Sequence, residues 1–340
     1  MTVALCREPM EWDAYILAHP ESTNYHRWAW KRLIEDTYGH QTYYLAAKNS
    51  LGIQGILPLV EIRSWLFGRR LVSLPFFSYG GVLANSQETR EELLGKAVEL
   101  ARDLSAKSIE LRQGSDFETA WQKSVAKVAM RVRLPNSAAE LFKSLRPRLR
   151  NKIRNAEKNG FQCKWGGSDS VGAFYSIFAC NMRNLGTPVY PRAWFRNFFR
   201  VAPAESRILT IWEKRTPVAA TLITMFRETV ELPWIASTPE SRGKYSTVLL
   251  YWKALEWAVQ NGYRCVDLGR CTPGSGTWSF KSQWNCHETP LTWLYWLREG
   301  ESIPEFRPNN PKFDLAIKAW KRLPLGVANL IGPRIVRAIP

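Results

Sequence analysis

The sequence predicts a mixed α/β (α+β) fold of two tandem domains, each a mixed central sheet flanked by helices. The chain has 340 residues, of which 45% are hydrophobic, enough for about two buried cores. Helical and strand-like hydrophobic periods alternate along it, which is typical of α/β proteins. One pattern of a helix followed by a strand occurs twice at nearly the same spacing.

The repeated pattern is a helix of about four turns that leads into a short apolar strand with one acidic residue near its end. Leu93-Leu94 leads to Ile109-Glu110-Leu111-Arg112, and Leu249-Leu250 leads to Val266-Asp267-Leu268-Gly269. We interpret this as an internal duplication with a boundary near Pro135. The predicted organisation is an N-terminal domain, 1–135, a C-terminal domain, 136–303, and a basic tail, 304–340.

The first domain begins with a helix and three strands. The predicted elements are a helix at 25–38, strands at 42–47, 53–62 and 70–74, a helix at 87–105 and a buried strand at 108–112. The aromatic, glycine-ended segment from Pro75 to Gly81 suits a pocket-lining loop or an ordinary packed turn. Tyr79 is the candidate substrate-binding residue in it.

The second domain opens with a capping box, in which Ser137 precedes Glu140 by three residues. Pro147 fits the first turn of a helix and not its interior, so it should begin a second helix that ends at Gly160. The other predicted elements are helices at 171–185, 192–201 and 247–261, and strands at 207–213, 217–226, 230–236, 265–268 and 291–297. Pro233 is expected to mark a bulge or a strand edge.

Charge and composition limit the function. Lys and Arg outnumber Asp and Glu by 47 to 30, which gives a formal charge of +17 and favours anionic partners. The six cysteines form no CxxC pair, so reduced thiols are expected, and no metal site is predicted. The N-terminal residues do not resemble a signal peptide and no apolar run is long enough to span a bilayer. We therefore expect a cytoplasmic protein, either free or peripheral to the inner membrane.

A cationic helix is the first candidate site. Its basic residues recur every fourth position: Arg146, Arg150, Arg154 and Lys158. Its packed side consists of Leu149, Ile153 and Ala156. Like charges at this spacing repel, which an anion would relieve, so we interpret Arg150, Arg154 and Lys158 as phosphate-binding. A plain solvated face is the alternative for any single one of them.

A glycine-rich turn after a buried strand is the second candidate site, because open α/β sheets bind ligands at such strand ends. The candidate catalytic residues are Lys281, which would neutralise a developing oxyanion, and Asp267, which would orient or accept a proton. Asp267 is equally expected as a structural strand-end residue, and a tight structural turn is the alternative for the loop. The candidate substrate-binding residues here are Arg270, Gly274, Ser275, Gly276, Thr277 and Phe280.

The third candidate is the segment before the long helix at 247–261. A helix N-terminus attracts anions, and Arg242 and Lys244 would strengthen that attraction. The chain has no P-loop spacing, and no Ser-His-Asp or Cys-His set can be assembled from it.

At these residues the sequence resembles the FemAB family, and in particular the FemAB-like proteins associated with exosortase and PEP-CTERM systems. The run from Asn151 to Gly160 looks like the family's "IRKAEKxG" helix, and Asp267 to Trp284 looks like its "DFGR…PGSGTxxFKxQW" segment. The resemblance implies tandem GNAT-like domains that transfer an acyl or aminoacyl group to an amine, as from aminoacyl-tRNA to a peptidoglycan precursor. The sequence itself leaves open whether the acceptor is an amine or a hydroxyl, and so whether the product is an amide or an ester. It also implies that Lys281 is the family's site lysine.

The same resemblance implies the partners. The acceptor would be a phosphate-bearing glycan or lipid-linked precursor of the cell envelope or of an exopolysaccharide. Acyl-CoA, an acyl carrier or aminoacyl-tRNA would be the donor, with no cofactor tightly bound. Simple acetyltransferases hold coenzyme A at the third candidate site, but Tyr245 and Thr247 stand where their signature has glycines. The long coiled-coil arm of some tRNA-using members is not evident.

Two other interpretations stay open. The charge of +17 also suits a noncatalytic protein that binds nucleic acid or an anionic surface. The basic, apolar tail suits a membrane-surface helix or docking arm for a peripheral scaffold, or a segment packed across its own domain.

Overall fold

The computed structural model describes residues 1–65, 68–303 and 314–339. In its first part, the elements are β1 (Thr2–Leu5), α1 (Pro9–Ala18), α2 (Ala29–Tyr38), β2 (Thr42–Asn49), β3 (Gly52–Ser64), β4 (Gly68–Val72), β5 (Leu83–Ala84), α3 (Gln87–Asp103), β6 (Ser108–Arg112) and β7 (Gln122–Arg133). Among the described residues, no helix combines the length and apolar content needed to cross a membrane. The expected cytoplasmic location stays a prediction.

Helices dominate the middle of the chain and strands follow. The elements here are α4 (Ala138–Ser144), α5 (Pro147–Lys158), β8 (Gln162–Gly166), α6 (Val171–Leu185), α7 (Arg192–Val201), β9 (Ser206–Glu213), β10 (Thr216–Phe226), β11 (Thr229–Ser237), α8 (Pro239–Arg242), α9 (Ser246–Gln260), β12 (Cys265–Cys271), α10 (Gly276–Lys281), β13 (His287–Leu297), α11 (Asp314–Arg322) and α12 (Leu325–Arg337).

The chain divides into two compact units. Of the described residues, unit 1 holds 1–126, 290–303 and 335–339, and unit 2 holds 127–289 and 314–334. The chain returns to unit 1 near Pro290 because β13 pairs with β6 through Trp293 to Leu297. The predicted domain bounds 1–135 and 136–303 stay a prediction, and residues 304–313 of the predicted tail lie outside the described part.

Unit 1 contains a sheet with the order β1, β2, β3, β4, β6, β13, in which β4 and β6 are parallel and the other pairs are antiparallel. Helix α3 packs against β2, β3 and β6. Ser86 begins α3 because its side chain accepts a hydrogen bond from the Thr89 amide. The buried residues Leu93, Leu94 and Ala97 of α3 then cover one face of the sheet.

Unit 2 contains a sheet with the order β7, β12, β11, β10, β9, β8. Strands β11 and β12 are parallel, and the other neighbours are antiparallel. Helix α9 packs against β9 to β12 on one side, and α5 packs against α9. Helix α6 packs against β9, β10 and β11.

The two units repeat one arrangement. In each, three successive antiparallel strands are followed by a long helix and a strand parallel to the third: β2, β3, β4, α3 and β6 in unit 1, and β9, β10, β11, α9 and β12 in unit 2. The last registered parallel pairs are Val72 with Glu110 and Glu231 with Asp267. Glu110 and Asp267, the acidic residues of the predicted repeat, therefore both lie in the last registered pair of the parallel strands in their sheets.

Several predicted elements differ from those observed. The helix predicted at 25–38 starts later, because residues 24–26 form a separate 3-10 turn capped by Thr23, and Arg27 is extended before α2. The sequence reasoning missed β1, α1, β5, β7, β8, α8 and α10. It placed Pro233 correctly: the register between β10 and β11 shifts opposite Leu232 and Pro233, which forms a bulge inside the sheet.

Candidate active site

The parallel strands β11 and β12 separate in the middle of the unit 2 sheet. Their registered pairs run from Thr229 with Cys265 to Glu231 with Asp267, and both strands then continue. The bulge at Pro233 bends β11 there, and Gly269 bends β12 with a φ of 81°. Strand β12 stays paired with β7 at Arg270 and Cys271, but beyond Asp267 its carbonyls on the β11 side need other hydrogen-bond partners, because buried main-chain groups are rarely left unpaired.

Lys281 supplies that partner. Its Nζ atom donates to the carbonyl oxygen of Gly269 at 2.9 Å and to that of Arg270 at 3.2 Å. The residue is only 5% exposed, and this burial lowers the pKa of its ammonium group below the usual 10.5. An ammonium has three hydrogens. Within the described residues, two carbonyl oxygens each accept a hydrogen bond from the ammonium group. Its third hydrogen is therefore available for a hydrogen bond to a ligand.

A capped turn and packed rings hold the segment that carries Lys281. Ser275 begins α10 by accepting a hydrogen bond from the Trp278 amide. Lys281 is the last residue of this short helix. Phe280 packs edge-on against Tyr251 at 5.0 Å between ring centres, and Tyr251 stacks on Trp284. These rings anchor the segment on both sides of the lysine.

The glycine-rich turn and Lys281 lie in different environments. Gly274, Gly276 and Thr277 are exposed, whereas Lys281 is buried and directed at β12. Ser275 is a helix cap, Phe280 is a packing residue, and Arg270 lies half-buried on β12 with partners in the protein. Contact of each with a substrate stays a prediction.

Asp267 has a defined structural task. Its Oδ1 atom accepts a hydrogen bond from the Gly269 amide at 2.7 Å, and its Oδ2 atom accepts one from Arg131 Nε at 3.2 Å. Asp267 thereby fixes the bend that turns the Gly269 and Arg270 carbonyls toward Lys281. This is the structural alternative that the sequence left open, and a proton-transfer role stays a prediction.

Sequence reasoning missed two neighbours of Asp267. Arg131 on β7 and Glu231 on β11 are its register partners on either side, so the three residues form one row across the sheet. Glu231 is buried and has partners in the protein. The sequence shows Glu231 as an acidic residue inside the apolar run Val230-Glu231-Leu232, which could have marked it as a candidate. Its position beside Asp267 follows only from the strand order.

Two thiols flank the buried lysine. Cys286 Sγ donates to the carbonyl oxygen of Lys281 at 3.1 Å, and Cys271 is buried on β12. Burial raises the pKa of the Cys286 thiol to about 12 and also raises the pKa of Cys271. Both are therefore protonated and weakly nucleophilic near neutral pH.

The cationic helix is α5, and its N-terminal half contacts the lysine segment. Lys152 Nζ donates to Gln283 Oε1 at 3.2 Å, two residues after Lys281. Leu149, Ile153 and Ala156 are buried as predicted. Arg154 and Lys158 are exposed, and Arg154 lies 5.4 Å from the ring centre of Phe142.

Arg150 differs from the other cations of α5. It is half-buried, and its Nε atom is enclosed without a hydrogen-bond partner in the described part of the chain. A buried donor left unpaired is costly, and an anion is the partner that would satisfy it.

In the third candidate site, the basic side chains bond to other residues of the protein. Arg242 donates to Asn181 Oδ1 at 2.7 Å and to the carbonyl oxygen of Ser237 at 3.1 Å, and Lys244 pairs with Glu213. Asn159 at the end of α5 donates to the Lys244 carbonyl at 2.9 Å. Both side chains are therefore engaged in bonds within the protein. Anion binding by Arg242 and Lys244 stays a prediction.

Tyr79 lies in unit 1, whereas the other predicted site residues lie in unit 2. It is buried and packs against Tyr25 at 5.7 Å between ring centres. Its place in a ring cluster fits the packed turn that the sequence left open as the alternative to a pocket loop.

Residues 143–282 match a family model described as an acetyltransferase (GNAT) domain. A search of curated protein sequences finds no match. The fold is similar to that of FemX, with a TM-score of 0.68 and 13% identity over 88% of this chain and 98% of FemX.

Two further solved structures share the fold. L-PGS from Bacillus licheniformis has a TM-score of 0.57 and 12% identity, over 98% of this chain and 99% of that one. A tandem GNAT protein from the clavulanic acid biosynthesis pathway has a TM-score of 0.56 and 11% identity, over 89% and 99%.

These matches define a protein with the GNAT acyltransferase fold. The predicted α/β class and the resemblance to FemAB-like GNAT proteins are confirmed at the level of the fold.

Proposed function

We propose that unit 2 transfers an acyl or aminoacyl group to an amine or hydroxyl of a phosphate-bearing precursor of the cell envelope or of an exopolysaccharide. The observation that carries this proposal is the buried Lys281 ammonium, held on the Gly269 and Arg270 carbonyls where β11 and β12 separate. A preorganised cation in a water-poor site is suited to stabilise an oxyanion.

The transfer needs one bond made and one broken. The acceptor nitrogen or oxygen attacks the acyl carbon, the carbonyl oxygen gains negative charge, and the third hydrogen of Lys281 donates to it. The bond from carbon to the donor's leaving oxygen or sulfur then breaks, and the leaving atom takes the proton that the acceptor loses. Asp267 acts here as a positioning residue, because it fixes the bend that seats Lys281.

The phosphate of the acceptor is assigned to α5. Lys152 ties this helix to the lysine segment, and Arg150 holds an unsatisfied buried donor among the described residues. Arg154 and Lys158 extend the positive surface along the helix. A phosphate bound by these groups would place the attached acceptor on the Lys281 side of unit 2.

Among the three candidate donors, aminoacyl-tRNA and an acyl carrier have more support than acyl-CoA. The α9 N-terminus fits coenzyme A poorly: Tyr245 is left-handed with a φ of 62° and carries a bulky ring, and Arg242 and Lys244 are bound internally. The charge of +17 suits a polyanionic donor. All three donors are arms of the test.

The test offers purified protein each donor separately, namely acetyl-CoA, an acylated carrier protein and a charged tRNA mixture, with lipid-linked and nucleotide-linked sugar precursors. Mass spectrometry of the acceptor should show the added acyl mass in one arm, and Lys281→Met should slow its appearance by about 100-fold or more. Salt-dependent retention of bulk RNA with no acyl product in any arm would support the noncatalytic alternative instead.

A further inference from the structure

The two C-terminal helices use one side to pack on unit 2. Arg183 at the end of α6 donates to the Leu323 carbonyl at 2.9 Å, and Ala328 of α12 is buried. Gly332 lies so near Val189 that a Cβ there would come within 2.9 Å of the Val189 amide nitrogen. The tail is therefore held against its own unit through a defined inner side.

The outer side of α12 is an apolar stripe in solvent. Val327, Leu330, Ile331 and Arg334 follow the i, i+3, i+4, i+7 spacing of one helix face. Val327 is 39%, Leu330 65% and Ile331 37% exposed. Such a stripe normally faces a core, whereas here the inner side is made by the small residues Ala328 and Gly332.

Helix α11 continues the same character. Leu315 is 80% exposed, and Lys318 and Arg322 share its helix face. Between 314 and 334 the basic residues are Lys318, Lys321, Arg322 and Arg334, and the acidic residue is Asp314. We call these exposed apolar and basic residues of α11 and α12 the tail surface.

The chemistry of the tail surface selects its partner. Lys and Arg pair with lipid phosphates while apolar side chains enter the boundary of the acyl chains, which is how amphipathic helices lie on anionic bilayers. A second copy of this chain would bring another charge of +17 against it. A nucleic-acid backbone would leave the apolar stripe unmatched.

We infer that the tail surface docks unit 2 onto an anionic lipid bilayer. The inference goes beyond the proposed transfer reaction and does not rest on it. The contact that we infer is with the bilayer surface, through side chains of α11 and α12.

Co-sedimentation of the full-length chain with vesicles tests this. Vesicles of phosphatidylcholine alone are compared with vesicles that contain about 30% phosphatidylglycerol. The wild type should bind the anionic vesicles, and Leu330→Glu/Ile331→Glu should weaken that binding about tenfold or more. The control is Leu51→Glu, which places a glutamate at a leucine of unit 1 that is 86% exposed, and this variant should bind as the wild type does.

A second variant, Lys318→Glu/Arg322→Glu, tests the charged component at exposed positions, and it should bind anionic vesicles weakly and lose the salt dependence of the wild type. Equal binding of wild type and Leu330→Glu/Ile331→Glu, with both folded by thermal melting, would overturn the inference. Sedimentation velocity supplies the other contrary outcome: a dimer that the glutamates split, with vesicle binding unchanged, would make the tail surface a self-association site.

Discussion

The Nζ atom of Lys281 lies 2.9 Å from the carbonyl oxygen of Gly269, in the gap that opens after the last parallel pair of β11 and β12. The corresponding strands of unit 1 stay bonded past their last registered pair, because the Ser73 amide donates to the Glu110 carbonyl oxygen at 2.8 Å. There Glu110, which matches Asp267 in the repeat, is paired with the buried Arg112, whose Nη1 also donates to the Phe77 carbonyl. Arg112 is held by these partners in unit 1, whereas Lys281 has two carbonyl acceptors for three hydrogens among the described residues, which supports the proposal that unit 2 is the reactive one.

The buried ammonium predicts a pH-dependent stability. Because the pKa of Lys281 is lowered by burial, the unfolded chain binds more protons than the folded one between that lowered pKa and 10.5. The free energy of unfolding of the wild type should therefore rise relative to Lys281→Met as the pH increases through this window. Urea titrations from about pH 7 upward measure the difference.

Lys96→Met is the matched control for that experiment. Lys96 is exposed, and its hydrogen bond to Glu99 raises its pKa, so the difference between wild type and control should show no rise below 10.5. A flat difference for Lys281→Met as well would show that its ammonium is not desolvated.

Asp267→Asn should weaken both the fold and the reaction. The change removes the charge that pairs with Arg131 but keeps an oxygen for the Gly269 amide, so we expect a loss of about 1–2 kcal/mol in the free energy of unfolding. Activity should fall less than in Lys281→Met, because Asp267 acts through the bend. Asp116→Asn, which breaks an exposed pair with Lys123, is the control and should leave the urea midpoint unchanged.

Arg150→Ala should raise KM for a phosphate-bearing acceptor about tenfold and leave kcat nearly unchanged, as expected for the loss of one charged hydrogen bond made equally in ground and transition states. Steady-state kinetics at two salt concentrations measure this. The comparison is Arg148→Ala on the same helix, an exposed arginine outside the predicted set. Equal effects of the two changes would mean that α5 attracts the acceptor only through its overall positive charge, and that Arg150 does not bind the phosphate specifically.

Cys286 should not carry an acyl group. With a pKa of about 12, roughly one molecule in ten thousand has the thiolate at about pH 8. Iodoacetamide should therefore label Cys286 far more slowly than a free cysteine peptide, at a rate that rises about tenfold per pH unit. Transfer should survive Cys286→Ala, and detection of an acyl thioester on this residue would contradict the account.

Local signals in the sequence were sufficient for much of unit 2. The helices at 171–185 and 192–201 have the predicted bounds, because Gly186 and Pro191 punctuate strong helical periods. Pro147 starts α5 as its fixed φ predicts. The duplication was visible because each unit buries a long helix against a short apolar strand, and this requirement produces the same pattern of apolar residues twice in the sequence.

The site itself was only partly predictable. The Pro273 and Gly274 turn concealed α10, although Ser275 three residues before Trp278 is a cap signal. The row of Arg131, Asp267 and Glu231 joins three strands that are distant in sequence, so it depends on strand order and not on spacing. The inward direction of Lys281 follows from the separation of β11 and β12, for which the sequence offered only Pro233 and Gly269.

The most direct test of the central claim is the single-turnover rate of acyl transfer by wild type, Lys281→Arg and Lys281→Met with the donor found active. If Lys281 stabilises the oxyanion, Lys281→Met should be slower by about 100-fold or more while its donor and acceptor affinities stay the same, and Lys281→Arg should retain part of the rate. A Lys281→Met protein that is folded and transfers the acyl group at the wild-type rate would contradict the account.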